Sequence, residues 1–466
     1  MKRLSRRGFL KAAGALAVAS AAGADSMRRQ RPMPRLVLAM CVDCLRSDQV
    51  GAYGCSEPTT PSIDSLAAGS LLLEHAYANA NWTKPSVASF FTGLWPAEHG
   101  ATATGDTKSD LASKNMVLPS GIATLAGVYA AAGFRTGGFV HQPHLVKEHG
   151  FGQGFETYEV GPFEAERIAS MFKEWHAKLG ASDRAFAYLH FLDCHAPYWP
   201  HEPFWRQFGP TSRAWASCPD WETPGVWSAF RDEVNAGKRS MPAEEALELL
   251  NLFQGAVRYT DDCIGKIIAD LSARGVFDDA LIVAFADHGE DFLEHGILGH
   301  DPPYFFEEQI RIPVIMKLPK SWGMTLARMS CETQTLDLTA TLAAVAGHRG
   351  FGHGRNLFQE AAFREPAPII TQSGGGMTVV RSGLKGYIWT KGPVLQIAKV
   401  FDVRSDPGER IDISPQTPAF VSAMETYLAS WRESASSMYA KLDSGRSGVT
   451  LSRENADALR ALGYLH

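Results

Sequence analysis

The chain reads as an α/β protein: an open, mostly parallel sheet flanked by helices, followed by a smaller C-terminal antiparallel α+β domain. Three observations predict this. Leu36–Val42, Phe186–Leu192 and Ala280–Ala286 are short, nearly unbroken apolar runs, as expected of strands covered on both faces. Helix-patterned stretches alternate with them, and each run ends in polar residues. From about Arg364 the texture changes to short strands separated by Gly and Asp turns. With 466 residues, 45% hydrophobic and 20% charged, there is material for one large core and a smaller unit.

In chain order, residues 1–24 predict an export signal. Ser5-Arg6-Arg7-Gly8-Phe9-Leu10-Lys11 is a twin-arginine motif, Ala12–Ala22 a short apolar region, and Ala22-Gly23-Ala24 a small-residue cleavage site. The expected carrier is the twin-arginine translocase, and the expected location periplasmic or secreted. No other stretch reaches the roughly 18 apolar residues of a membrane span, so no transmembrane segment is expected in the mature form. The formal charge is −5, and removing residues 1–24 takes away five Lys/Arg and no acid, leaving −10. Such an acidic surface argues against nonspecific nucleic-acid binding.

After a basic leader, the catalytic domain is expected over 34–346. Leu36–Val42 ends on Asp43, Ser62–Gly69 is a short helix, and His75–Ala80 leads into Asn81–Gly100. In that stretch Pro85 suits the first turn of a helix, and Val87, Phe90, Phe91 and Leu94 recur at helical spacing before Pro96. Thr83 therefore stands at a helix N-terminus, either as a simple N-cap or as a hydroxyl facing an anion site. Ile122–Ala132 is helical, and Gly133–Val140 is a helix stop and a strand ending on His141. Ala165–Leu179 is helical, and Phe186–Leu192 leads into Asp193-Cys194-His195. Trp199, Trp205, Trp215, Trp221 and Trp227 crowd an irregular insertion at about 199–245, suited either to stacking on a sugar or aryl group or to packing on the main domain. Gly255–Arg274 is an amphipathic helix feeding Ala280–Ala286, which ends in Asp287-His288-Gly289-Glu290. The domain boundary falls in Gly347–Glu365. The smaller domain, 366–466, has strands at Ala367–Thr371, Val379–Arg381, Tyr387–Thr390 and Gln396–Val403, then a helix near Phe420–Ala435.

Sites in open α/β sheets form beyond the carboxyl ends of the strands, where Asp43, His141, His195 and Asp287 fall. Asp43, Asp287 and His288 offer two hard oxygens and one imidazole, and Thr83 completes a shell for one divalent ion. Ca²⁺, Mg²⁺, Mn²⁺ or Zn²⁺ fits, and the imidazole tilts the set towards Mn²⁺ or Zn²⁺. Such an ion would activate the Thr83 hydroxyl, while His195, His141, His300 and Lys84 are available to meet charge on the transferring group and the leaving oxygen. Seven cysteines in a chain of this size are no disulfide scaffold, and Cys41 and Cys263 read as buried thiols.

Several motifs occur together in one order: Val42-Asp43-Cys44-Leu45-Arg46-Ser47-Asp48, Thr83–Gly100, Gly133-Phe134-Arg135-Thr136 and His195-Ala196-Pro197-Tyr198. Tyr259-Thr260-Asp261-Asp262, Asp287-His288-Gly289-Glu290, Glu307–Pro313 and Phe401–Glu409 continue the series. With these the chain resembles the sulfatase family of the alkaline phosphatase superfamily. The resemblance implies an alkaline-phosphatase-like sheet, a metal held by Asp43, Asp287, His288 and the nucleophile, and ester contacts from His195 and His300. The departures matter as much. Where that family carries Cys or Ser in C/S-x-P-S-R, oxidised to formylglycine, this chain has Thr83-Lys84-Pro85-Ser86-Val87, so no formylglycine is expected. Cys44 replaces the usual second metal aspartate, and His300 falls near a position where many sulfatases place a lysine. Relatives that use Thr directly act on phosphate esters, phosphonates or phospholipid head groups. The expectation is thus a metal-dependent hydrolase of small-molecule, glycan-linked or lipid-linked phosphate or phosphonate esters. The alternatives are a sulfuric ester hydrolase of arylsulfatase type, a head-group transferase, or a non-catalytic metal-stabilised binding protein.

Overall fold

The computed structural model describes residues 31–103, 116–209, 223, 225–300, 303–324, 328–359, 367–374, 376–391, 394–443, 448–449 and 452–462. The export signal expected over residues 1–24, with Trp215 and Trp221, lies outside them. A nine-stranded mixed sheet is built from β1 (Leu36–Val42), β2 (Leu71–Tyr77), β3 (Phe134–Val140), β4 (Thr157–Val160), β5 (Arg184–Phe191) and β6 (Leu281–Ala286). A small hairpin of β7 (Asp291–Phe292) and β8 (Leu298–Gly299) intervenes in the chain, and β9 (Arg311–Ile312), β10 (Val314–Lys317) and β11 (Arg328–Gln334) complete the sheet. Its order is β11-β2-β10-β6-β1-β5-β3-β4, with β9 beside β2. Only β10 and the two-residue β9 run against the rest.

The three apolar runs are indeed central. β1 is buried at all seven positions and lies between β5 and β6, with Met40 level with Leu189 and Ala284. Runs this apolar hold because helices cover the sheet. One group of helices, Pro61–Ala67, Ala165–Ala177 and Ala243–Ala273, packs together, and a second comprises Thr83–Thr92, Leu125–Ala131 and Thr335–Val345. The carboxyl ends of β6, β1, β5 and β3 lie side by side and deliver Asp287, Asp43, His195 and His141 to one edge.

Thr83–Thr92 is buried throughout, with Phe90 against Phe285 of β6 at 4.7 Å between rings. It stops at Gly93, whose φ of 69° is left-handed, rather than running on to Pro96, which opens a separate short helix, Pro96–His99. A Cβ at Gly93 would also meet the Gly352 backbone at 2.9 Å. The amphipathic helix expected over Gly255–Arg274 extends back to Ala243 and so takes up the end of the irregular insertion. The insertion also holds a helix at Val226–Asn235; Trp227 is buried against Tyr198, whereas Trp199 is 46% exposed.

The C-terminal sheet is antiparallel, in the order β12 (Ile369–Ser373), β13 (Gly376–Arg381), β14 (Leu384–Lys391), β15 (Val394–Asp402), and the helix Pro418–Asp443 packs on it through Met424, Leu428 and Trp431. Val380 and Tyr387 share an apolar cluster with Tyr77, Phe305 and Ile310 of the large sheet's surroundings. The helix Arg453–Ala461 returns to the large unit, where Gly225 donates to the Arg460 carbonyl at 3.2 Å.

Candidate active site

Thr83 is the first residue of its helix, and the N-cap position belongs to Trp82, so the reading of Thr83 as a simple N-cap does not hold. Its hydroxyl is turned to the strand ends instead. Thr83 Oγ1 lies 3.2 Å from Asp43 Oδ2, 3.3 Å from His288 Nε2, and 3.2 Å from the Gln142 side-chain nitrogen. Asp43 Oδ2 also accepts from Gln142 at 3.0 Å and from His190 Nε2 at 2.9 Å, and His190 Nδ1 faces the Tyr188 hydroxyl at 2.8 Å. His288 Nε2 is 3.5 Å from both Asp43 Oδ1 and Asp287 Oδ2. Asp287 is fixed at its backbone, where Ser86 Oγ donates to its carbonyl at 2.6 Å.

Ring protons follow from the acceptors. A carbonyl oxygen only accepts, so His288 Nδ1, 2.9 Å from the Gly289 carbonyl, carries the proton and leaves the Nε2 lone pair facing Asp43, Asp287 and Thr83. That is the tautomer a metal ligand needs. Burial pushes both carboxyls up. At Asp43 the His190 hydrogen bond and the imidazoles of His288 and His195 outweigh burial and hold it well below the usual range. At Asp287 burial, reinforced by the Asp43 charge, drives it well above. Asp287 Oδ2 is buried with no hydrogen-bond partner among the described residues. Two carboxylates, one with an orphaned oxygen, an imidazole lone pair and a hydroxyl fit a divalent cation, and donor atoms of Asp43 and His288, and of Asp43 and Asp287, lie within 4.8 Å of one another.

His195 and His300 stand on the far side, their rings 5.0 Å apart, and His300 is 4.4 Å from the His288 ring. His195 Nδ1 donates to the Ala196 carbonyl at 2.5 Å, and burial lowers its pKa to about 4. His141 and Lys84 are not brought into the hydrogen-bonded cluster. His141 lines a neighbouring cavity of about 640 Å³, and its Nδ1 makes no hydrogen bond among the described residues. Lys84 points away from Thr83, donating to the Ala103 carbonyl at 2.8 Å, with burial lowering its pKa to about 7. The side chains missed from sequence are His190, Gln142 and Glu290. His190 is the one legible signal: an imidazole inside the apolar β5, on the same face as Tyr188 by the two-residue period.

The strand ends thus gather a hydroxyl, two carboxylates and four imidazoles on a mostly parallel sheet flanked by helices. A family model of sulfatases matches residues 35–348. Arylsulfatase A of Homo sapiens is 35% identical over 453 residues, covering 84% of this chain and 86% of that protein. N-acetylgalactosamine-6-sulfatase of Homo sapiens is 24% identical over 355 residues, covering 68% of this chain and 63% of the relative, so the match spans less than two thirds of that enzyme's length. Among solved structures, the phosphonate monoester hydrolase of Agrobacterium radiobacter superposes with a TM-score of 0.65 at 18% identity, covering 89% of this chain and 99% of the other. The chain belongs to the sulfatase family.

Proposed function

We propose that the protein is an exported metal-dependent hydrolase in which Thr83 is the nucleophile, acting on phosphate diesters, phosphate monoesters or phosphonate esters. The observation that carries this reading is the Thr83 hydroxyl, 3.2 Å from Asp43 and 3.3 Å from His288 at a helix start it does not cap. A divalent cation held by Asp43, Asp287, His288 and Thr83 would polarise that hydroxyl and the ester oxygens. Thr83 Oγ1 attacks phosphorus in line and passes its proton to the Asp43 carboxylate, whose Oδ2 lies 3.2 Å away. The P–O bond to the leaving group breaks, and the leaving oxygen takes a proton from His195 or His300 in its protonated form. Water then attacks phosphorus and gives a proton to the imidazole that protonated the leaving group, the bond from Thr83 to phosphorus breaks, Thr83 takes its proton back from Asp43, and a phosphate, phosphate monoester or phosphonate is released. Gln142 and His190 orient Asp43 throughout.

A second reading, sulfuric ester hydrolysis, draws support from relatives named as sulfatases. Threonine gives no formylglycine aldehyde, which favours phosphorus as the reacting centre. Export by the twin-arginine translocase to the periplasm or beyond rests on Ser5–Lys11.

The test is a panel of nitrophenyl phosphate, bis-nitrophenyl phosphate, phenylphosphonate ester and nitrophenyl sulfate, run with wild type and Thr83→Ala. We expect turnover of phosphorus esters, reduced in the variant by about 10³-fold or more. Undiminished turnover in Thr83→Ala sinks the nucleophile assignment, and a preference for the sulfate selects the second reading.

A further inference from the structure

The cavity of about 640 Å³ beside His141 takes no part in the reaction above. Its size falls within the roughly 300–1,000 Å³ of small-molecule sites. Gln142, Val146 and Tyr158 line it as buried side chains, whereas Lys147 and Glu159 line it as exposed ones, so it has a charged mouth and a closed inner end. One wall is the last helix, Arg453–Ala461, from which Asn455, Ala458 and Leu462 line the cavity; spaced three and four apart, they share one face. That helix is fixed at both ends: Ser452 Oγ accepts from the Asn455 N–H at 3.2 Å, and the Arg460 carbonyl accepts from Gly225.

Three observations tie the cavity to the nucleophile. Gln142 lines it, and the same side-chain nitrogen donates to Thr83 Oγ1 at 3.2 Å and to Asp43 Oδ2 at 3.0 Å, so one amide group separates the inner end from Thr83. His141, its neighbour past the end of β3, also lines the cavity, and His141 Nδ1 is buried with no hydrogen-bond partner among the described residues, a polar atom that a bound group would satisfy. The Gln142 amide carries no charge, and Lys84 is turned away to the Ala103 carbonyl. On this side of Thr83 a phosphoryl group therefore meets a neutral donor and open space instead of a lysine. That suits phosphorus bearing one ionised oxygen and one carbon-containing substituent better than phosphorus bearing two ionised oxygens. We propose that the cavity receives the second, non-leaving substituent of the ester, which makes phosphate diesters and phosphonate esters the preferred substrates over phosphate monoesters. This assignment rests on the ester hydrolysis proposed above and narrows it. The leaving oxygen departs towards His195 and His300, so the two substituents occupy different places.

The experiment compares bis-nitrophenyl phosphate with methyl nitrophenyl phosphate, two diesters of equal charge and the same leaving group that differ in the second substituent. Wild type is expected to favour the bis-nitrophenyl ester in kcat/KM by about 10-fold or more beyond the ratio of the uncatalysed rates. Ala458→Trp, which fills the cavity from the helix wall, is expected to cut that preference by about 10- to 100-fold. Circular dichroism checks folding, and Ala461→Phe on the same wall decides the matter if Ala458→Trp does not fold. Wild type that does not distinguish the diesters, or a folded wall variant with the wild-type preference, overturns the proposal. Calorimetric titration of Thr83→Ala with bis-nitrophenyl phosphate, with and without Ala458→Trp, reads binding apart from turnover, and the added substitution is expected to weaken it by about 10-fold or more. A chain that hydrolyses no ester but shows this weakening refutes the hydrolase reading and leaves the cavity assignment standing. A Thr83-dependent hydrolase indifferent to the wall variants does the reverse.

Discussion

Asp43 Oδ2 is within hydrogen-bond reach of three side chains, those of His190, Gln142 and Thr83, so its orientation is set by the protein and not by whatever cation it meets. Tyr188 in turn fixes the His190 ring. Outer partners of this kind are worth about 10- to 100-fold in metal affinity. His190→Phe keeps the ring volume and removes the hydrogen bond, and calorimetric metal titration is expected to show a loss of that size; equal affinity would mean that Asp43 is positioned by packing alone. The residues gathered at the candidate site were largely legible in the sequence because strand ends are where open sheets place such groups, and Asp43, Asp287 and His288 sit one or two positions past fully apolar runs. His190 gave only half a signal: an imidazole inside an apolar run stands out, but the run does not say whether it faces helix, neighbour or site. Lys84 and His141 show the converse: sequence proximity to Thr83 and to a strand end placed them near the site but could not supply the direction of the side chain.

At the scale of elements, the strands buried on both faces were legible to within two residues at each end, and β1 to the residue, because apart from His190 of β5 nothing polar interrupts the apolar runs. β2, β10 and β11 were not read as strands. β2 carries Glu74 and His75 in its second half, β10 is four residues long, and β11 is exposed or half-buried over its first four residues and polar over its last three, so none has the continuous apolar signature. The first dozen residues of the Ala243–Ala273 helix were lost for a related reason: Glu244, Glu245 and Glu248 dilute the apolar stripe there. The end of that helix is tied to the Ala165–Ala177 helix by Arg274, whose Nη2 donates to His176 Nδ1 at 2.8 Å. Burial, with the Arg274 charge, lowers His176 to about 4, so it stays neutral in the folded chain where an unfolded chain titrates near 6.5. Between those pH values the unfolded state binds more protons, and folding loses stability as pH falls. His176→Gln keeps an acceptor for Arg274 and cannot titrate. Urea unfolding should show wild type losing stability relative to the variant as pH drops from about 6.5 to about 4; a difference constant across that window would contradict the assignment.

For the molecule as a whole, the two sheets are joined by a buried ionic triad as well as by the apolar cluster around Tyr77 and Val380. Lys385 of β14 lies 3.1 Å from Glu307 and 2.9 Å from Glu409, and Glu409 also accepts from the Glu307 backbone N–H at 2.9 Å. Burial raises Glu409 to about 7, with Lys385 opposing that rise. Lys385→Met leaves two acids facing each other without a cation, and equilibrium unfolding is expected to register a loss of about 3–5 kcal/mol. A loss below about 1 kcal/mol would mean that the acids are simply neutral there. The same whole-chain view explains why the C-terminal sheet was visible from its turns while its dependence on the large unit was not: Val380, Tyr387 and Lys385 are an ordinary strand pattern until Glu307 and Tyr77 are placed beside them. The central claim is that Thr83 bonds covalently to the group it transfers. Acid-quenching the enzyme during turnover of bis-nitrophenyl phosphate and mapping its peptides by mass spectrometry tests this directly. A phosphoryl ester on Thr83 is expected, absent from Thr83→Ala together with turnover. Sustained turnover with Thr83 unmodified, and equally fast in Thr83→Ala, would contradict it.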